Sequence, residues 1–281
     1  MLASPILRLI HAALAEDVGS GDVTAEYFTP AEARRTAVIS ARGSGIAAGV
    51  EVAATVFRLV DPNIEIRDDA PDGAALAPGS VLLQARGNTR SLLTAERTAL
   101  NFLGRLCGIA TLTQQYVAAV SGAGAAILDT RKTTPGWRML EKAAVVAGGG
   151  VNHRMGLYDR VMVKDNHLLA ESRLPDLQRG IDRVKRDRPG ILVELEADTL
   201  EQVRDFLELR GVDIILLDNM PTDILHEAVR MNAGRCRLEA SGGVTLGNVR
   251  AIAETGVDFI SVGALTHSAP AFDLSLSLEP A

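Results

Sequence analysis

"ILVELEADTLEQVRDFLELRGVDIILLDN", residues 191–219, holds two short apolar runs of β type that end on acids, Glu196 and Asp218, with a helix-length interval between them. The same unit recurs from residue 125 onward. The runs "AAILDTRK", "RVMVKDNH", "ILVELEAD", "DIILLDN", "RLEASGGV" and "DFISVGALTHS" end at Lys132, Lys164, Glu196, Asp218, Ser241 and Gly263, in steps of 32, 32, 22, 23 and 22 residues. One strand, one helix and their loops need about that length, so the rhythm predicts repeated βα units and parallel strands. Such a sheet, open or closed, binds its ligand at the C-terminal ends of the strands. No Gly-x-Gly-x-x-Gly follows the first run, which weakens a dinucleotide reading. Polar ends on every successive strand favour a barrel, because only there do all the ends converge on one mouth. Six or seven units are visible, so the barrel is expected to be incomplete.

Ahead of the repeat the chain reads as mixed α and β. "TAVISARGSGIAAG" looks like a strand and glycine turn, "EVAATVFRLV" has helical spacing, and "PDGAALAPGSVLLQARGN" carries turn chemistry before a short strand. "RSLLTAERTALNFLGRLCGIATLTQQYVAAV" runs long and helical, with Ser91 or Thr94 as its start and Gly104 and Gly108 as interruptions. The domain boundary is expected there. That gives a first domain over 1–105 and a second over 106–267.

Composition narrows the function classes. The 281 residues are 47% hydrophobic and 23% charged, enough to bury a real core in one large domain or two smaller ones. Lys+Arg 29 against Asp+Glu 35 gives a formal charge of −6, so nothing global attracts nucleic acid or an anionic membrane, and any cationic site must be local. Cys107 and Cys236 lie far apart with no other ligand pattern, which indicates neither a disulfide framework nor a zinc site and fits a reducing cytoplasm. "MLASPILRLIHAALAED" imitates a signal peptide, but Arg8 and His11 interrupt it while Ile6, Ile10 and Leu14 recur at helical spacing. An amphipathic helix is expected instead. No apolar run approaches the roughly 18 residues needed to span a bilayer.

The strand ends carry the chemistry. Arg131 and Lys132 close the first run and Lys164 the second, and His153-Arg154 follow the triple glycine of "AGGGVNHR". A single Lys or Arg is most simply a solvated surface residue. Several at the ends of adjacent parallel strands must lie close together, and their repulsion is tolerable only with an anionic ligand or nearby carboxylates. Arginine forks suit carboxylate, and lysine serves phosphate as a point charge. Glu194 and Glu196 share a face by period-two alternation, and Asp218 ends its run. These acids are either internal ion-pair partners of the cations or holders of Mg²⁺ or sugar hydroxyls. "ASGGV" and "SVGAL" follow the last two strands, where barrels commonly hold a phosphate with backbone N–H groups. His11, His226 and His267 show no metal-ligand spacing, and His167 in "KDNH" is left undecided.

"LLTAERTALNFLGRLCGIAT", "DTRKTTPGWRMLEKAAVVAGGGVNHRMGLYDRVMVKDNH", "VELEAD", "LLDN", "EASGGV" and "VGALTHS" together closely resemble the quinolinate phosphoribosyltransferases, and "LAEDVGSGDVTAEYF" extends the likeness almost to the N-terminus. The resemblance implies an N-terminal α/β sandwich joined to an incomplete, roughly seven-stranded α/β barrel of type II phosphoribosyltransferase kind. The tail 268–281 is expected to return to the first domain. It implies transfer of phosphoribosyl from 5-phosphoribosyl-1-diphosphate to quinolinate with Mg²⁺, giving nicotinate mononucleotide, diphosphate and CO₂ for NAD synthesis. It implies a homodimer, or an assembly of dimers, with shared active sites. By the same resemblance Arg131, His153 and Arg154 surround the quinolinate carboxylates together with Arg97 from the neighbouring subunit. Lys132 and Lys164 meet the substrates' anionic groups. Glu196 and Asp218 meet the ribose hydroxyls and the metal, directly or through water, and Ser241, Gly242, Gly243 and Gly263 the 5-phosphate. Ala143 departs from the family's usual aromatic, so packing behind the site is expected to differ.

Three rivals remain at this point. Nicotinate phosphoribosyltransferase uses the same donor with a one-carboxylate acceptor, and the number of cations argues against it. A non-catalytic relative associated with molybdate transport shares the "TRKT-PG" and "GGG" text but lacks "KDNH". A Schiff-base aldolase would use Lys132 or Lys164 as nucleophile.

Overall fold

A computed structural model describes residues 2–164 and 174–280. The chain opens with α1 (Ser4–Val18), α2 (Val23–Phe28), β1 (Arg34–Ala41), β2 (Gly45–Ile46), α3 (Val50–Val60), β3 (Glu65–Asp68), β4 (Ala75–Leu76), β5 (Val81–Asn88) and the long α4 (Thr89–Ala119). There follow β6 (Ala126–Leu128), α5 (Arg138–Ala147), β7 (Val161–Val163), α6 (Leu174–Asp187), β8 (Val193–Ala197), α7 (Leu200–Leu207) and β9 (Ile214–Asp218). The chain continues with α8 (Thr222–Asn232), β10 (Arg237–Ser241), α9 (Val249–Ala253), β11 (Phe259–Ser261), α10 (Ala264–His267) and β12 (Leu274–Pro280). No helix among the described residues is long and apolar enough to cross a membrane.

Two compact units share these elements. One comprises Met1–Gln114, Thr133–Gly149 and Leu265–Ala281, the other Gln115–Lys132 and Gly150–Ala264. In the first, the antiparallel sheet β12-β1-β5-β3 is covered by α3, whose apolar face buries Val52, Ala53, Val56 and Phe57. Position 105 falls within α4, whose residues up to Gln114 are counted with the first unit. The helix stays in the first unit past that point because Leu106, Cys107, Ile109 and Ala110 are buried, and the Ile46 N–H donates to Thr111 Oγ1 at 3.0 Å.

The long helix also starts earlier than expected. Asn88 Oδ1 accepts the N–H groups of Arg90 (2.9 Å) and Ser91 (3.4 Å), so Asn88 serves as its cap. Thr94 lies inside the helix, its hydroxyl bonded to the Arg90 carbonyl at 2.9 Å. Nor do Gly104 and Gly108 interrupt it. A Cβ on Gly108 would stand 2.0 Å from the Pro270 carbonyl oxygen, and the Phe272 N–H donates to the Gly104 carbonyl at 2.8 Å. These glycines give the C-terminal segment a bare helix face to lie on. Beyond it β12 pairs with β1 from Ala41↔Leu274 to Arg35↔Pro280.

In the second unit all six apolar runs are strands of one parallel sheet, in the order β6-β11-β10-β9-β8-β7. Consecutive units lie side by side from β7 to β11, and then the first strand, β6, joins the last, from Phe259↔Ala126 to Ser261↔Leu128. A sheet whose first and last units meet must curl. On the other edge of β6, Val151 adds a single parallel bridge to Leu128. The sheet order ends at β7, so the ring among the described residues is open beside that strand. Period-two alternation along the fully buried β8 turns Val193, Leu195 and Ala197 to one face and Glu194 and Glu196 to the other.

Candidate active site

The strands' C-terminal ends surround a cleft of about 560 Å³. Ten of the twelve residues singled out in the sequence line it: Arg131, Lys132, His153, Arg154, Lys164, Glu196, Asp218, Ser241, Gly242 and Gly243. Gly263, past β11, is not among the lining residues, and Arg97 is exposed on α4 of the first unit. His167 lies outside the described residues, whereas His11, His226 and His267 are all exposed. Ala143 is exposed on α5, so its small side chain leaves no gap in a core. A larger hollow of about 810 Å³ opens at the opposite, N-terminal ends of the strands. Both acids among its lining residues are in ion pairs, Asp213 with Lys185 (2.5 Å) and Asp258 with Arg237 (2.5 Å), so it offers no unpaired carboxylate among the described residues.

The cationic side of the cleft is built from β6 and the loop after Val151. Asp129, fully buried at the end of β6, accepts the main-chain N–H of His153 at 2.9 Å, which ties that loop to the strand. Asp159 steadies the far side of the loop by accepting the N–H groups of Met155 (2.7 Å) and Gly156 (2.9 Å). Arg154 reaches Met162 Sδ at 3.3 Å with one guanidinium nitrogen. Burial first, and then the positive charge of Arg131, push its pKa down. Two guanidiniums that feel each other's charge at the rim of one cleft form an anion-binding arrangement.

The anionic side comes from β8 and β9. Glu196 pairs with Lys164, so the internal-ion-pair reading and the binding reading both hold at this position. Asp218 is half-buried, and its Oδ2 accepts from Asn219 Nδ2 at 2.7 Å. After β10 the chain turns through Gly242 (φ +94°) and Gly243 (φ +60°), left-handed conformations that favour glycine. A Cβ at Gly242 would lie 2.1 Å from Asn219 Oδ1, so only glycine lets this turn close beside β9.

On the floor of the cleft, His153 and Glu239 line it as part of a buried polar group that the sequence pattern shows only in part. His153 Nε2 lies 3.3 Å from Glu194 Oε2 and 3.5 Å from Glu239 Oε2, and Arg160 Nη1 is 3.1 Å from Glu194 Oε2. Among the described residues His153, Glu194 and Glu239 are the group whose potential ligand atoms all fall within 4.8 Å of one another. The Arg160 guanidinium supplies a counter-charge there, which suits an ion-pair network better than a metal. Glu239 was readable, since it stands two residues before Ser241 and therefore shares its face. Arg160, ahead of β7, carried no such signal.

Burial works to lower the imidazole pKa of His153, but hydrogen bonds and charge from Glu194 and Glu239 outweigh it and raise the pKa to about 9. The Arg154 N–H, aimed at Nδ1 from 2.7 Å, favours the neutral ring and works against a second proton. With the folded pKa above the unfolded value of about 6.5, the stabilisation is fully present below that value and is lost as pH rises through about 9. Any charge the ring carries should therefore make thermal stability fall as pH rises through about 9, and His153→Asn should flatten the profile. A wild-type melting profile no steeper than that of His153→Asn over this range would show that the ring is neutral.

Residues 22–107 match the family profile described as quinolinate phosphoribosyl transferase, N-terminal domain, and residues 109–277 the one described as its C-terminal domain. The chain is 43% identical to a Synechocystis protein named probable nicotinate-nucleotide pyrophosphorylase (carboxylating), over 94% of this chain and 90% of that one. A Bacillus subtilis protein of the same name is 39% identical over 96% and 92% of the two chains. The solved structure of the nicotinate-nucleotide pyrophosphorylase from Francisella tularensis superposes with a TM-score of 0.92 at 36% identity, covering 99% and 98%. Human nicotinic acid phosphoribosyltransferase, at 12% identity and a TM-score of 0.60, shares the fold alone. Matched over both domains and nearly its whole length, the chain belongs to the quinolinate phosphoribosyltransferase family.

Proposed function

We propose that the cleft transfers the phosphoribosyl group of 5-phosphoribosyl-1-diphosphate to quinolinate and releases diphosphate, CO₂ and nicotinate mononucleotide, a step of NAD synthesis. The observation that carries this reading is the half-cationic, half-anionic mouth, with Arg131, Lys132, Arg154 and Lys164 against Glu196 and Asp218, in a chain of this family. The quinolinate ring nitrogen bonds to the ribose anomeric carbon as the bond from that carbon to diphosphate breaks. Positive charge develops on the ribose, where Glu196 and Asp218 stabilise it, while Lys132 and Lys164 meet the departing diphosphate. No covalent nucleophile is required, and the two lysines need not act as Schiff-base formers. The carbon–carbon bond to the 2-carboxylate then breaks, its electrons pass to the now quaternary ring, and the ring carbon takes up a proton as CO₂ leaves. Arg131 and Arg154 hold the acceptor's carboxylates in place through both steps. The left-handed turn at Gly242 and Gly243, with Ser241, is suited to the 5-phosphate.

Glu196 and Asp218 present carboxylate oxygens to the cleft, the hard donors that Mg²⁺ takes. Neither belongs to a ready three-ligand cluster among the described residues, which suits an ion that keeps waters and takes substrate oxygens. Bound there, Mg²⁺ would neutralise charge on the diphosphate. We further propose a homodimer or an assembly of dimers in which Arg97 completes the partner's acceptor site. The two free thiols, Cys107 and Cys236, support a cytoplasmic setting.

An assay with quinolinate, the phosphoribosyl donor and Mg²⁺, following CO₂ and nicotinate mononucleotide, tests the assignment. Nicotinic acid should fail as acceptor, because it lacks the 2-carboxylate that the paired guanidiniums are arranged to hold. Comparable turnover of both acceptors would transfer the assignment to nicotinate phosphoribosyltransferase chemistry.

A further inference from the structure

Glu194 and Glu239 both flank His153 at the floor of the cleft, but they are not equivalent. Glu194 Oε2 is shared between His153 and Arg160, so the guanidinium meets much of its charge. Glu239 is fully buried, its Oε1 accepts the Ser261 hydroxyl at 2.5 Å, and the ion pair it makes among the described residues is with His153. On the other edge of the ring, Nδ1 accepts the Arg154 N–H at 2.7 Å. The main-chain N–H of His153 itself donates to Asp129 at 2.9 Å. The protein thus engages both ring nitrogens, and what the ring grips in turn is the backbone of Arg154.

We propose that Glu239, locked by Ser261, is a positioning residue for the acceptor: it holds the His153 ring, and through the ring it fixes the Arg154 main chain so that the guanidinium faces the cleft. This rests on the reading of the cleft as the quinolinate site. A chain of buried ion-pair and hydrogen-bond contacts behind a binding group limits that group's freedom before the ligand arrives. Loss of the link should therefore weaken acceptor binding and leave the phosphoribosyl donor, held on β8 and β9, little changed.

Glu239→Gln keeps the size of the side chain and an acceptor for Ser261, and Ser261→Ala frees the carboxylate from its lock. Steady-state kinetics with each substrate varied in turn should show the KM for quinolinate raised about tenfold in Glu239→Gln, the loss of one buried charge pairing with the ring. The donor KM should stay within about twofold, and Ser261→Ala should shift the same constant by less. In a His153→Asn background, adding Glu239→Gln should change the quinolinate KM by no more than about twofold, because the link it cuts is already gone. An equal rise in donor KM, an unchanged quinolinate KM, or a full tenfold effect on top of His153→Asn would each overturn the proposal, the last by showing direct contact with substrate. Should Glu239→Gln not fold, Ser261→Ala carries the same test with the same split. Wild-type turnover is measured alongside. Its absence would remove the acceptor assignment and this inference together, whereas turnover with unaltered variant constants would remove the role of Glu239 alone.

Discussion

Lys164→Ala is expected to fold as the wild type does and to lose at least about 10²-fold in turnover, the scale of removing one donor from a site of developing charge. The two halves of that expectation have different physical sources. The Lys164 side chain is 42% exposed, so its pair with Glu196 lies close enough to water to contribute little to stability, at most about 1 kcal/mol. Melting temperature should barely move. Catalysis is another matter, because the ammonium stands at a strand end on the wall of the cleft, where the proposed mechanism has the diphosphate leave. The paired Glu196 is only 9% exposed on its side chain, and without Lys164 it would face the incoming anionic donor with less compensation. Both consequences lower the rate. Near wild-type turnover would reduce Lys164 to a partner for Glu196 and remove the diphosphate role from that strand.

Much of this arrangement was legible in the residues, for identifiable reasons. A parallel strand buried on both faces reads as a short apolar run, and a barrel brings every run's end to one mouth. The steps from Lys132 to Gly263 therefore told both which strands exist and which residues meet. Gly263 marks the limit of that reasoning, since a run's polar end need not turn into the cleft. The misreadings concern contacts that are distant in sequence. Gly104 and Gly108 look like helix breakers unless the segment at Pro270–Phe272 is known to lie on them. Asn88 reads as the end of strand β5, which hides its second role as the cap of α4. Arg160 precedes its strand, where no pattern of alternation assigns a face, and only the fold brings it to Glu194.

The network of His153, Glu194, Glu239 and Arg160 also shows how an acidic chain sustains a cationic site. Each buried acid there is matched to a buried or half-buried base, so the floor of the cleft is close to neutral. The cations that line the cleft, Arg131, Lys132, Arg154 and Lys164, are the charges an incoming anion meets first. On the proposed reading, an acceptor with two carboxylates is attracted by those cations and not by the protein as a whole.

The largest effect should come from mixing two inactive proteins. Arg97 is exposed on α4 and does not line the cleft, yet it corresponds by resemblance to a quinolinate ligand supplied by the neighbouring subunit. If it serves a partner's site, Arg97→Ala and Lys132→Ala should each be inactive alone and regain activity when mixed. In a two-fold dimer each site takes Arg97 from one chain and Lys132 from the other, so a heterodimer holds one intact site and one that lacks both. Random exchange makes about half of the dimers mixed, and half of their sites are whole, so roughly a quarter of wild-type activity should return. The comparison is internal, because neither parent has an intact site of its own. It also separates two explanations of an inactive Arg97→Ala. A folding defect would remain after exchange, whereas a missing trans contact would be restored by the other chain. Verified subunit exchange with no recovery would place Arg97 in its own chain's chemistry or outside the site altogether, and the shared-site dimer would have to be abandoned.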